Sequence, residues 1–528
     1  MEPNLVHIDR TSGIPLFTFS ESFNVAIHMI DRHLTEGRGS RLAYITEHET
    51  VTYAQLSDRV NRCGNALLEA GIAPMGRMLM IVKDCPEFVY LFYGAIKAGI
   101  VPVPINTLLR AKDYQYMIED SDCAALIYSP EFSSEICPAI DAVTRTPPFV
   151  ALTEGQDGIK SRLATASPQL NPYPSSALAD CFWLYSSGST GRPKGTVHRQ
   201  RDLLVNSVLY SEPVLGIREE DVMFSAAKLF FAYGLGNSMN FPLNYGACSV
   251  LSDERPTPEM TFRIIEKFKP TIYFGVPTLY AAQCRALESE NPDLSSIRIS
   301  ISAGESLPAP IFHRWKQHVG HPLIDGIGST EGTHIFISNT PNDAKPGTSG
   351  KVLPGYKARI VNDDGNDVSQ GEVGRLLVQG QSMAAYYWNQ PDRTEQTMLG
   401  DDWLNTGDTY SQDDEGYYVY NGRSDDMIKV GGIWCSPIEI ESRLIEHSKV
   451  LEAGVVGRED DDGLVKPEAH IILKDHKNAS EELAGELLDH CKDGLARYKY
   501  PRWFHFVEDL PKTATGKIQR FKLRKSGG

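Results

Sequence analysis

The chain has 528 residues, of which 41% are hydrophobic, and its 68 acidic and 52 basic side chains give a formal net charge of −16. This length predicts about two to four folding units with a large buried core that needs no cross-links. Because nucleic-acid backbones are bound by basic surfaces, the acidic balance argues against a nucleic-acid partner, although local groups can still bind a nucleotide.

The nine cysteines are scattered, and no two of them form a CxxC pair. This pattern favours reduced thiols over disulfides and gives no ligand spacing for a structural zinc site. No basic stretch followed by an apolar core opens the chain, so no signal peptide is expected. The most apolar stretch, residues 88–103, is interrupted and too short to span a bilayer. We therefore expect a cytoplasmic protein without membrane association.

Helix and strand patterns alternate through the first 150 residues. Apolar residues at helical spacing predict a helix whose buried face carries Leu56, Val60, Cys63 and Leu67. Pro86 should open a second helix that ends near Gly99. Short apolar runs predict buried strands at 78–82, 101–104 and 125–129. This alternation predicts an α/β sheet covered on both faces.

A stretch rich in Pro, Ser and Ala, residues 154–180, reads as a connector, after which the alternation resumes. Further strands are predicted at 181–187, 248–252, 271–276 and 298–303.

A second boundary is predicted near 422–426, after a strand at 417–420. Ser436 to Glu439 has the form of a capping box with proline at the first helical position. Strands at 450–457, 468–474 and 503–507 and a helix near 480–496 would complete a small α+β unit. We predict a large N-terminal α/β domain of several subdomains at 1–424 and a small α+β domain at 425–528.

The segment YSSGSTGRPKG (185–195) directly follows a predicted strand. Its small residues let the backbone close on an anion, its hydroxyls add donors, and Lys194 adds a positive charge. Neither the common P-loop pattern nor GxGxxG fits it. Its composition predicts a phosphate-binding loop rather than a flexible Gly/Ser turn.

This segment closely resembles the signature of the adenylate-forming superfamily, which contains acyl-CoA synthetases, nonribosomal-peptide adenylation domains and luciferases. Six further motifs match in the family's order: FFAYG (230–234), SAGE (302–305), GIGSTE (326–331), TGD (406–408), GRSDDMIKVGG (422–432) and PKTATGK (511–517). The resemblance covers nearly the whole chain. It implies activation of a carboxylic acid by ATP and transfer of the acyl group to coenzyme A, with a small C-terminal domain that rotates between the two steps.

The resemblance also implies ATP-binding roles. Glu331 resembles the acidic partner of the Mg²⁺ that accompanies ATP, with Thr190 as a second contact. Asp408 resembles the acceptor for the ribose hydroxyls, with Arg423 beside it. The remaining residues implied to contact ATP are Ser187, Gly188, Ser189, Gly191, Lys194, Ala303, Gly304, Glu305, Asp325, Gly326, Ile327 and Thr330.

Three features of the C-terminal part follow from the same resemblance. Lys517 resembles the adenylation lysine, a cation that offsets the repulsion between the attacking carboxylate and the α-phosphate. Asp425 resembles the hinge, and Gly431 and Gly432 resemble the loop beside the pantetheine channel. Small residues before Lys517 predict an accessible loop, so a lysine acetyltransferase and a deacetylase could regulate the enzyme there.

The acid pocket is expected to draw on 228–237, 275–280, 302–305 and 326–334, which are rich in aromatic residues. Aromatic walls suit a flat ring and would shorten a channel for a fatty chain. FSAAKLFFAYGLGN (224–237) and PKTATGKIQRFKLR (511–524) resemble benzoate–CoA ligases, which favours benzoate. Ala232 and Tyr233 would line the ring, Gly328 would line the pocket, and His334 would lie near the carboxylate.

Several alternatives remain open at this point. A 4-hydroxybenzoate or aminobenzoate ligase shares the same motifs, as does another acyl-adenylate-forming enzyme. A nonribosomal adenylation domain is disfavoured because no acid lies near 230–236, and a regulator without turnover because Glu331 and Lys517 are both present. A serine hydrolase is disfavoured because no GxSxG elbow occurs. A monomer and a homodimer are equally compatible with the sequence.

Overall fold

Buried strands alternating with helices make up most of this structure. The computed structural model describes residues 2–186, 193–424, 426–430, 433–460, 464–512 and 518–526. The α/β class predicted for the chain is confirmed.

The described strands are, in chain order, β1 (Val6–Asp9), β2 (Leu16–Phe19), β3 (Leu42–Ile45), β4 (Thr50–Thr52), β5 (Arg77–Ile81), β6 (Val101–Pro104), β7 (Ala125–Tyr128), β8 (Phe149–Leu152), β9 (Asp180–Ser186), β10 (Lys194–Arg199), β11 (Val222–Ser225), β12 (Cys248–Val250), β13 (Ile272–Gly275), β14 (Ile299–Ser302), β15 (Leu323–Gly328), β16 (Ile335–Ser338), β17 (Lys351–Val352), β18 (Lys357–Val361), β19 (Gly374–Gln379), β20 (Tyr386–Tyr387), β21 (Trp403–Gln412), β22 (Tyr418–Arg423), β23 (Ile428–Val430), β24 (Ile433–Cys435), β25 (Val450–Glu459), β26 (Val465–Leu473) and β27 (Trp503–Phe506).

The described α-helices are α1 (Arg32–Thr35), α2 (Tyr53–Glu69), α3 (Pro86–Lys97), α4 (Ala111–Ser121), α5 (Ser133–Ala142), α6 (Ile159–Thr165), α7 (Gln200–Tyr210), α8 (Ala232–Leu235), α9 (Phe241–Tyr245), α10 (Pro258–Phe268), α11 (Pro277–Ala286), α12 (Ala309–Val319), α13 (Pro391–Thr397), α14 (Pro437–Ile445), α15 (Glu481–Gly494) and α16 (Arg520–Ser526). Short π-helical turns continue some of them, at Ile27–Asp31, Ser211–Leu215 and Gly236–Asn240.

The largest sheet has nine strands in the order β17-β16-β15-β14-β13-β11-β12-β3-β4. Its six central strands, β15 to β3, run parallel, and antiparallel strands close both edges. A second, wholly parallel sheet has the order β6-β5-β7-β8. Their strands are nearly continuous apolar runs because helices cover parallel sheets on both faces.

The strands and helices predicted for the first 150 residues are confirmed. Leu56, Val60, Cys63 and Leu67 are fully buried on α2, as the helical spacing predicts. Pro86 occupies the first turn of α3, and this helix ends before Gly99. The stretch expected to be a plain connector is different, because it contains α6, whose Ile159 and Leu163 pack into the core.

Two antiparallel sheets carry the segments that approach the site. The strands β9, β10 and β20 form one sheet in the order β20-β10-β9, and β18, β19, β21 and β22 form the other. In the first sheet, Lys194 pairs with Ser186 across the β9–β10 hairpin, and in the second, Asp408 pairs with Arg423.

A separate three-stranded sheet, β25-β26-β27, packs against α14 and α15 around its own core. The predicted strands, the helix and the serine N-cap of α14 are confirmed, since Ser436 Oγ accepts a hydrogen bond from Glu439 N at 3.3 Å. The reciprocal half of the capping box is not formed. The carboxylate of Glu439 instead accepts hydrogen bonds from Lys499 at 2.6 and 2.5 Å, because that ammonium group offers a stronger partner than a backbone N–H. The division of the chain at residue 424 stays a prediction.

All nine cysteines are free thiols, and most of them are buried. Among the described helices, none combines the length and the apolar character that crossing a bilayer requires.

Candidate active site

The β9–β10 hairpin brackets the predicted phosphate-binding loop. Its residues Ser187, Gly188, Ser189, Thr190 and Gly191 lie outside the described part of the chain, so their roles stay predictions.

Two hydrogen bonds from α4 hold the ends of this hairpin in place. Tyr185 Oη donates to Asp120 Oδ2 at 2.7 Å, and Tyr116 Oη donates to the carbonyl oxygen of Pro193 at 3.1 Å. Both strands that lead into the loop are therefore fixed to the same helix.

Lys194, Glu331 and Tyr387 form a compact polar cluster beside the hairpin. Tyr387 Oη donates to Glu331 Oε1 at 2.7 Å, and Lys194 Nζ donates to Tyr387 Oη at 3.0 Å. Lys194 Nζ also lies 3.9 Å from Glu331 Oε1 and 4.1 Å from the centre of the Tyr387 ring. Ser186 Oγ adds a hydrogen bond of 3.2 Å to the same carboxylate oxygen. The structure thus brings together two residues that lie far apart in the sequence, Lys194, which is predicted to contact ATP, and Glu331, which is predicted to contact its Mg²⁺.

The charge state of this cluster suits a metal–nucleotide complex. Burial alone would raise the pKa of Glu331, but Lys194 and the Tyr387 hydroxyl outweigh it and hold this pKa below its usual value. Burial lowers the pKa of Lys194, and the Glu331 carboxylate partly offsets that effect. The Glu331 carboxylate is therefore ionised, and ionised carboxylate oxygens are ligands that Mg²⁺ prefers.

Within the described residues, no group of three or more His, Cys, Asp or Glu side chains is arranged to hold an ion. A single ionised carboxylate fits Mg²⁺ that is bound mainly by phosphates and waters.

Asp408 and Arg423 form an ion pair across β21 and β22. Arg423 Nη1 lies 3.0 Å from Asp408 Oδ1 and also donates to the carbonyl oxygen of Thr406 at 3.1 Å. The Asp408 carboxylate raises the pKa of Arg423, so the guanidinium group stays charged. Gly407 leaves room for this pair, because its φ is +70° and a Cβ there would lie 2.7 Å from Arg423 Nη2.

Two segments predicted to flank adenine lie side by side at the ends of neighbouring parallel strands. Ala303, Gly304 and Glu305 directly follow β14, while Asp325, Gly326 and Ile327 lie in β15, with Asp325 opposite Ser302. This edge of a parallel sheet, at the carboxyl ends of its strands, is where α/β proteins bind ligands.

The Asp325 side chain stands out within this edge. It is buried, its Oδ1 has no hydrogen-bond partner among the described residues, and burial raises its pKa well above the usual value. A buried polar atom without a partner destabilises the protein, which fits an atom that receives one from a ligand.

Aromatic rings surround His334 at the predicted acid pocket. The ring centres of Tyr233 and Phe241 lie 5.3 and 4.7 Å from that of His334, and Tyr233 packs edge-on against Phe274 at 6.2 Å. Gly328 and Gly236 allow this approach, because a Cβ on Gly328 would lie 2.1 Å from the His334 carbonyl oxygen and one on Gly236 would lie 2.5 Å from His334 Cδ2. Parts of the predicted segments 228–237 and 326–334 therefore meet, together with Phe274 of β13.

His334 is neutral in this setting. Its Nε2 lies 3.2 Å from the carbonyl oxygen of Tyr233, which can only accept, so this nitrogen carries the proton, and Asn237 Oδ1 lies 3.0 Å away. Burial lowers the pKa of His334 to about 3. The ring therefore shapes the pocket without bringing a positive charge to a carboxylate.

Not every aromatic residue expected at the pocket faces it. Tyr273 and Tyr280 pack against Trp315 in a different core cluster from the one that holds Phe274. Because successive side chains of a strand point to opposite faces, Tyr273 and Phe274 of β13 cannot both line the same cavity. These two tyrosines are core residues.

The other predicted site residues, Asp425, Gly431, Gly432 and Lys517, lie outside the described residues. Next to Asp425 in the sequence, Asp426 accepts hydrogen bonds from Arg520 at 3.5 Å and Arg524 at 2.8 Å.

Sequence reasoning missed Tyr387 and Asp120, and it gave no individual role to Asn237, which ends the predicted pocket segment 228–237. Tyr387 stands in AAYYWNQ (384–390), which has no spacing that points to a site. Only its pairing beside β10 brings its hydroxyl to Glu331.

Two family models and several known proteins match this chain. The family model of the AMP-binding enzyme matches residues 31–388, and that of the AMP-binding enzyme C-terminal domain matches residues 439–517. The benzoate–CoA ligase of Thauera aromatica is 49% identical, over 98% of this chain and 98% of that protein. The 4-hydroxybenzoate–CoA/benzoate–CoA ligase of Rhodopseudomonas palustris is 43% identical, over 95% of this chain and 94% of that protein. The crystal structure of the anthranilate CoA ligase AuaEII with anthranoyl-AMP matches with a TM-score of 0.90 and 40% identity, covering 96% of this chain and 98% of that one.

Proposed function

The chain belongs to the AMP-binding enzyme family and is an AMP-forming acid–CoA ligase, and on that premise we propose that its acid substrate is benzoate. In the first step the carboxylate attacks the α-phosphorus of ATP and pyrophosphate leaves. In the second step the thiol of coenzyme A attacks the acyl carbon, giving benzoyl-CoA and AMP. The aromatic enclosure of Tyr233, Phe274 and His334 carries this proposal.

The polar cluster of Lys194, Glu331 and Tyr387 would lie beside the phosphates. Lys194 would supply a positive charge next to the phosphate-binding loop, and Thr330 precedes Glu331 in the loop at 329–334. Glu331, with Thr190, would contact Mg²⁺, which neutralises the charge that develops on the phosphate oxygens. Serine and glycine residues 187–191 would close around the same phosphates.

The nucleoside would lie between the β21–β22 pair, which carries Asp408 and Arg423, and the carboxyl ends of β14 and β15. Asp408 is proposed to accept hydrogen bonds from the ribose hydroxyls, with Arg423 holding its carboxylate in place at 3.0 Å. Adenine would lie along residues 303–305 and 325–327, where the buried Asp325 Oδ1 can receive a donor.

The benzoate ring is proposed to lie against Ala232, Tyr233 and Gly328, with the His334 ring closing the pocket. Because His334 is neutral, the attraction that draws the carboxylate towards ATP must come from a cation elsewhere. Lys517 is the proposed source of that charge, since it can bridge the carboxylate and the α-phosphate.

The thioester step is assigned to the small C-terminal domain. We propose that Asp425 is the hinge and that Gly431 and Gly432 flank the pantetheine arm. Acetylation of Lys517 would remove its charge and stop the first step, which a mass-spectrometric assay after treatment with acetyltransferase and acetyl-CoA can test. The nine free thiols fit the cytoplasm as the place of action. Either a monomer or a homodimer is compatible with this scheme.

A ligase for 4-hydroxybenzoate or an aminobenzoate is the second candidate. Relatives with those names match nearly the whole chain. An apolar pocket rejects an added hydroxyl only weakly, whereas a pocket built to bind that hydroxyl rejects benzoate strongly. Comparing kcat/KM for the three acids, with AMP release as the signal, separates the candidates.

A further inference from the structure

His198 is a fully buried histidine on β10, four residues after Lys194. Its ring is stacked on that of Phe182, with the centres 4.8 Å apart and the planes 12° from parallel. Neither the adenylation motif nor the acid pocket includes this residue, so its buried polar ring requires a separate explanation.

Both ring nitrogens of His198 have specific partners. Nε2 lies 2.8 Å from the carbonyl oxygen of Thr330, which can only accept, so Nε2 carries a proton and donates it. Nδ1 lies 3.1 Å from Asp202 Oδ2 and 3.3 Å from Thr333 Oγ1.

Asp202 fixes the orientation of this ring. It lies in the first turn of α7, is fully buried, and accepts a hydrogen bond from Arg199 N at 2.9 Å. A side chain that lies within hydrogen-bond distance of Nδ1 restrains the plane of the ring. Asp202 thereby connects the start of α7 to the end of β10 and to the His198 ring.

Through Thr330 O, His198 contacts the loop that carries Glu331. Three successive carbonyl groups of the loop are occupied: Thr330 O accepts from His198, Glu331 O accepts from Ala384 N at 2.7 Å, and Gly332 O accepts from Ser382 Oγ at 3.1 Å. The Thr330 oxygen accepts a second, local hydrogen bond from Thr333 N at 3.1 Å. With its backbone held on these sides, the loop presents the Glu331 carboxylate to Lys194 and Tyr387.

We propose that His198, oriented by Asp202, is a positioning residue that holds the Thr330–Glu331 backbone where the Glu331 carboxylate can meet the metal–nucleotide complex. This inference rests on the proposed role of Glu331. Strand β10 would then contribute to phosphate binding in two ways. It supplies Lys194 directly, and through His198 it holds the loop that carries Glu331. Partners of this kind contribute about 10–100-fold to metal affinity or activity.

Two substitutions at position 198 separate positioning from packing. His198→Phe keeps a flat ring against Phe182 but removes the donor to Thr330 O. His198→Gln loses the ring but places an amide N–H near the position of Nε2. Isothermal titration with Mg²⁺ and ATP, in the absence of acid and CoA, gives the dissociation constant directly, and steady-state assays give KM for each substrate.

We expect His198→Phe to weaken Mg²⁺–ATP binding about 10–100-fold, with KM for benzoate unchanged, and His198→Gln to restore most of the affinity. Wild-type Mg²⁺–ATP affinity in His198→Phe overturns the inference. Equal losses in both variants, spread over all three substrates and matched by equal losses of Tm, also overturn it, since they indicate packing alone.

Glu331→Gln is measured beside them, to distinguish a failure of the positioning role of His198 from a failure of the proposed role of Glu331. If Glu331→Gln weakens Mg²⁺–ATP binding and His198→Phe does not, only the positioning role is wrong. If Glu331→Gln binds Mg²⁺–ATP like the wild type, the proposed role of Glu331 is wrong and the inference falls with it. Should His198→Phe not fold, Asp202→Ala replaces it: weaker Mg²⁺–ATP binding supports the inference, and unchanged binding overturns it.

Discussion

The hydroxyl group of Tyr387 donates a 2.7 Å hydrogen bond to Glu331 Oε1, on the same carboxylate that lies 3.9 Å from Lys194 Nζ. Lys194, Glu331 and Tyr387, which lie far apart in the chain, thus meet at one oxygen atom, Glu331 Oε1. The hydrogen bond helps to hold the pKa of Glu331 below its usual value.

Removing this hydroxyl should weaken the contact with the metal–nucleotide complex. We expect Tyr387→Phe to raise KM for ATP about 10–100-fold and to leave KM for benzoate unchanged. The neighbouring Tyr386→Phe is the matched control, because Tyr386 Oη donates to Asp180 instead, at 2.5 Å. Equal ATP kinetics in the two variants would show that the hydrogen bond to Glu331 has no role.

The ion pair between Asp408 and Arg423 predicts selectivity for the ribose hydroxyls. Asp408→Asn should raise KM for ATP about 10–100-fold, since hydrogen bonds to charged groups contribute roughly 1.5–3 kcal/mol. The same variant should discriminate less between ATP and 2′- or 3′-deoxy-ATP than the wild type does. Asp414→Asn, at an exposed turn, is the control. Undiminished discrimination in Asp408→Asn would place the ribose elsewhere.

Asp84 predicts a pH-dependent gain in stability on substitution. Burial raises its pKa to about 6, although Lys228 and a hydrogen bond from Leu229 N act in the opposite direction. The folded protein therefore binds this proton more tightly than the unfolded chain, whose aspartate pKa is about 3.9. The contribution of Asp84 to stability is fully present below the unfolded pKa and is lost as the pH rises through about 6.

Asp84→Asn should therefore stabilise the protein at pH 8, by up to about 3 kcal/mol from a shift of about two pKa units, and by about half as much at pH 5. Thermal unfolding of both proteins at the two pH values measures this difference, with the exposed Asp414→Asn as control. A change in Tm that is the same at pH 5 and pH 8 would mean that Asp84 does not titrate in this range.

Lys517 should separate the two half-reactions. Lys517→Ala is expected to slow benzoyl-adenylate formation about 10²–10³-fold, because the variant lacks the cation at the developing charge. Conversion of supplied benzoyl-adenylate to benzoyl-CoA should proceed at the wild-type rate. Lys512→Ala is the control, since Lys512 pairs with Glu452 at 2.7 Å. A Lys517→Ala enzyme that is slow in both half-reactions would contradict the assigned role.

The sequence was most informative where a property is local. Buried strands such as β5, β6 and β7 were predictable because an apolar run between turn residues has few alternatives in an α/β protein. The order of the motifs likewise indicated the family. Local patterns, however, say little about which side chains contact each other. The position of Glu439 fits a capping box, yet its carboxylate accepts a hydrogen bond from Lys499, 60 residues away.

The same limit applies to the site. Tyr387 and His198 reach Glu331 and Thr330 only because β20 and β10 pair and the 329–334 loop folds over them. No spacing rule connects residues 198 and 330. Tyr273 and Phe274 are adjacent aromatic residues, but the alternation of a strand sends them to opposite faces, and the sequence alone does not say which face holds the pocket.

The most direct test of the account is the product analysis of purified enzyme with ATP, Mg²⁺, CoA and a single acid. With benzoate, we predict AMP, pyrophosphate and benzoyl-CoA in equal amounts, and a kcat/KM above that for 4-hydroxybenzoate and far above those for acetate and palmitate. A kcat/KM for acetate or palmitate equal to or above that for benzoate would contradict the aromatic pocket, and formation of ADP and phosphate would contradict acyl-adenylate chemistry itself.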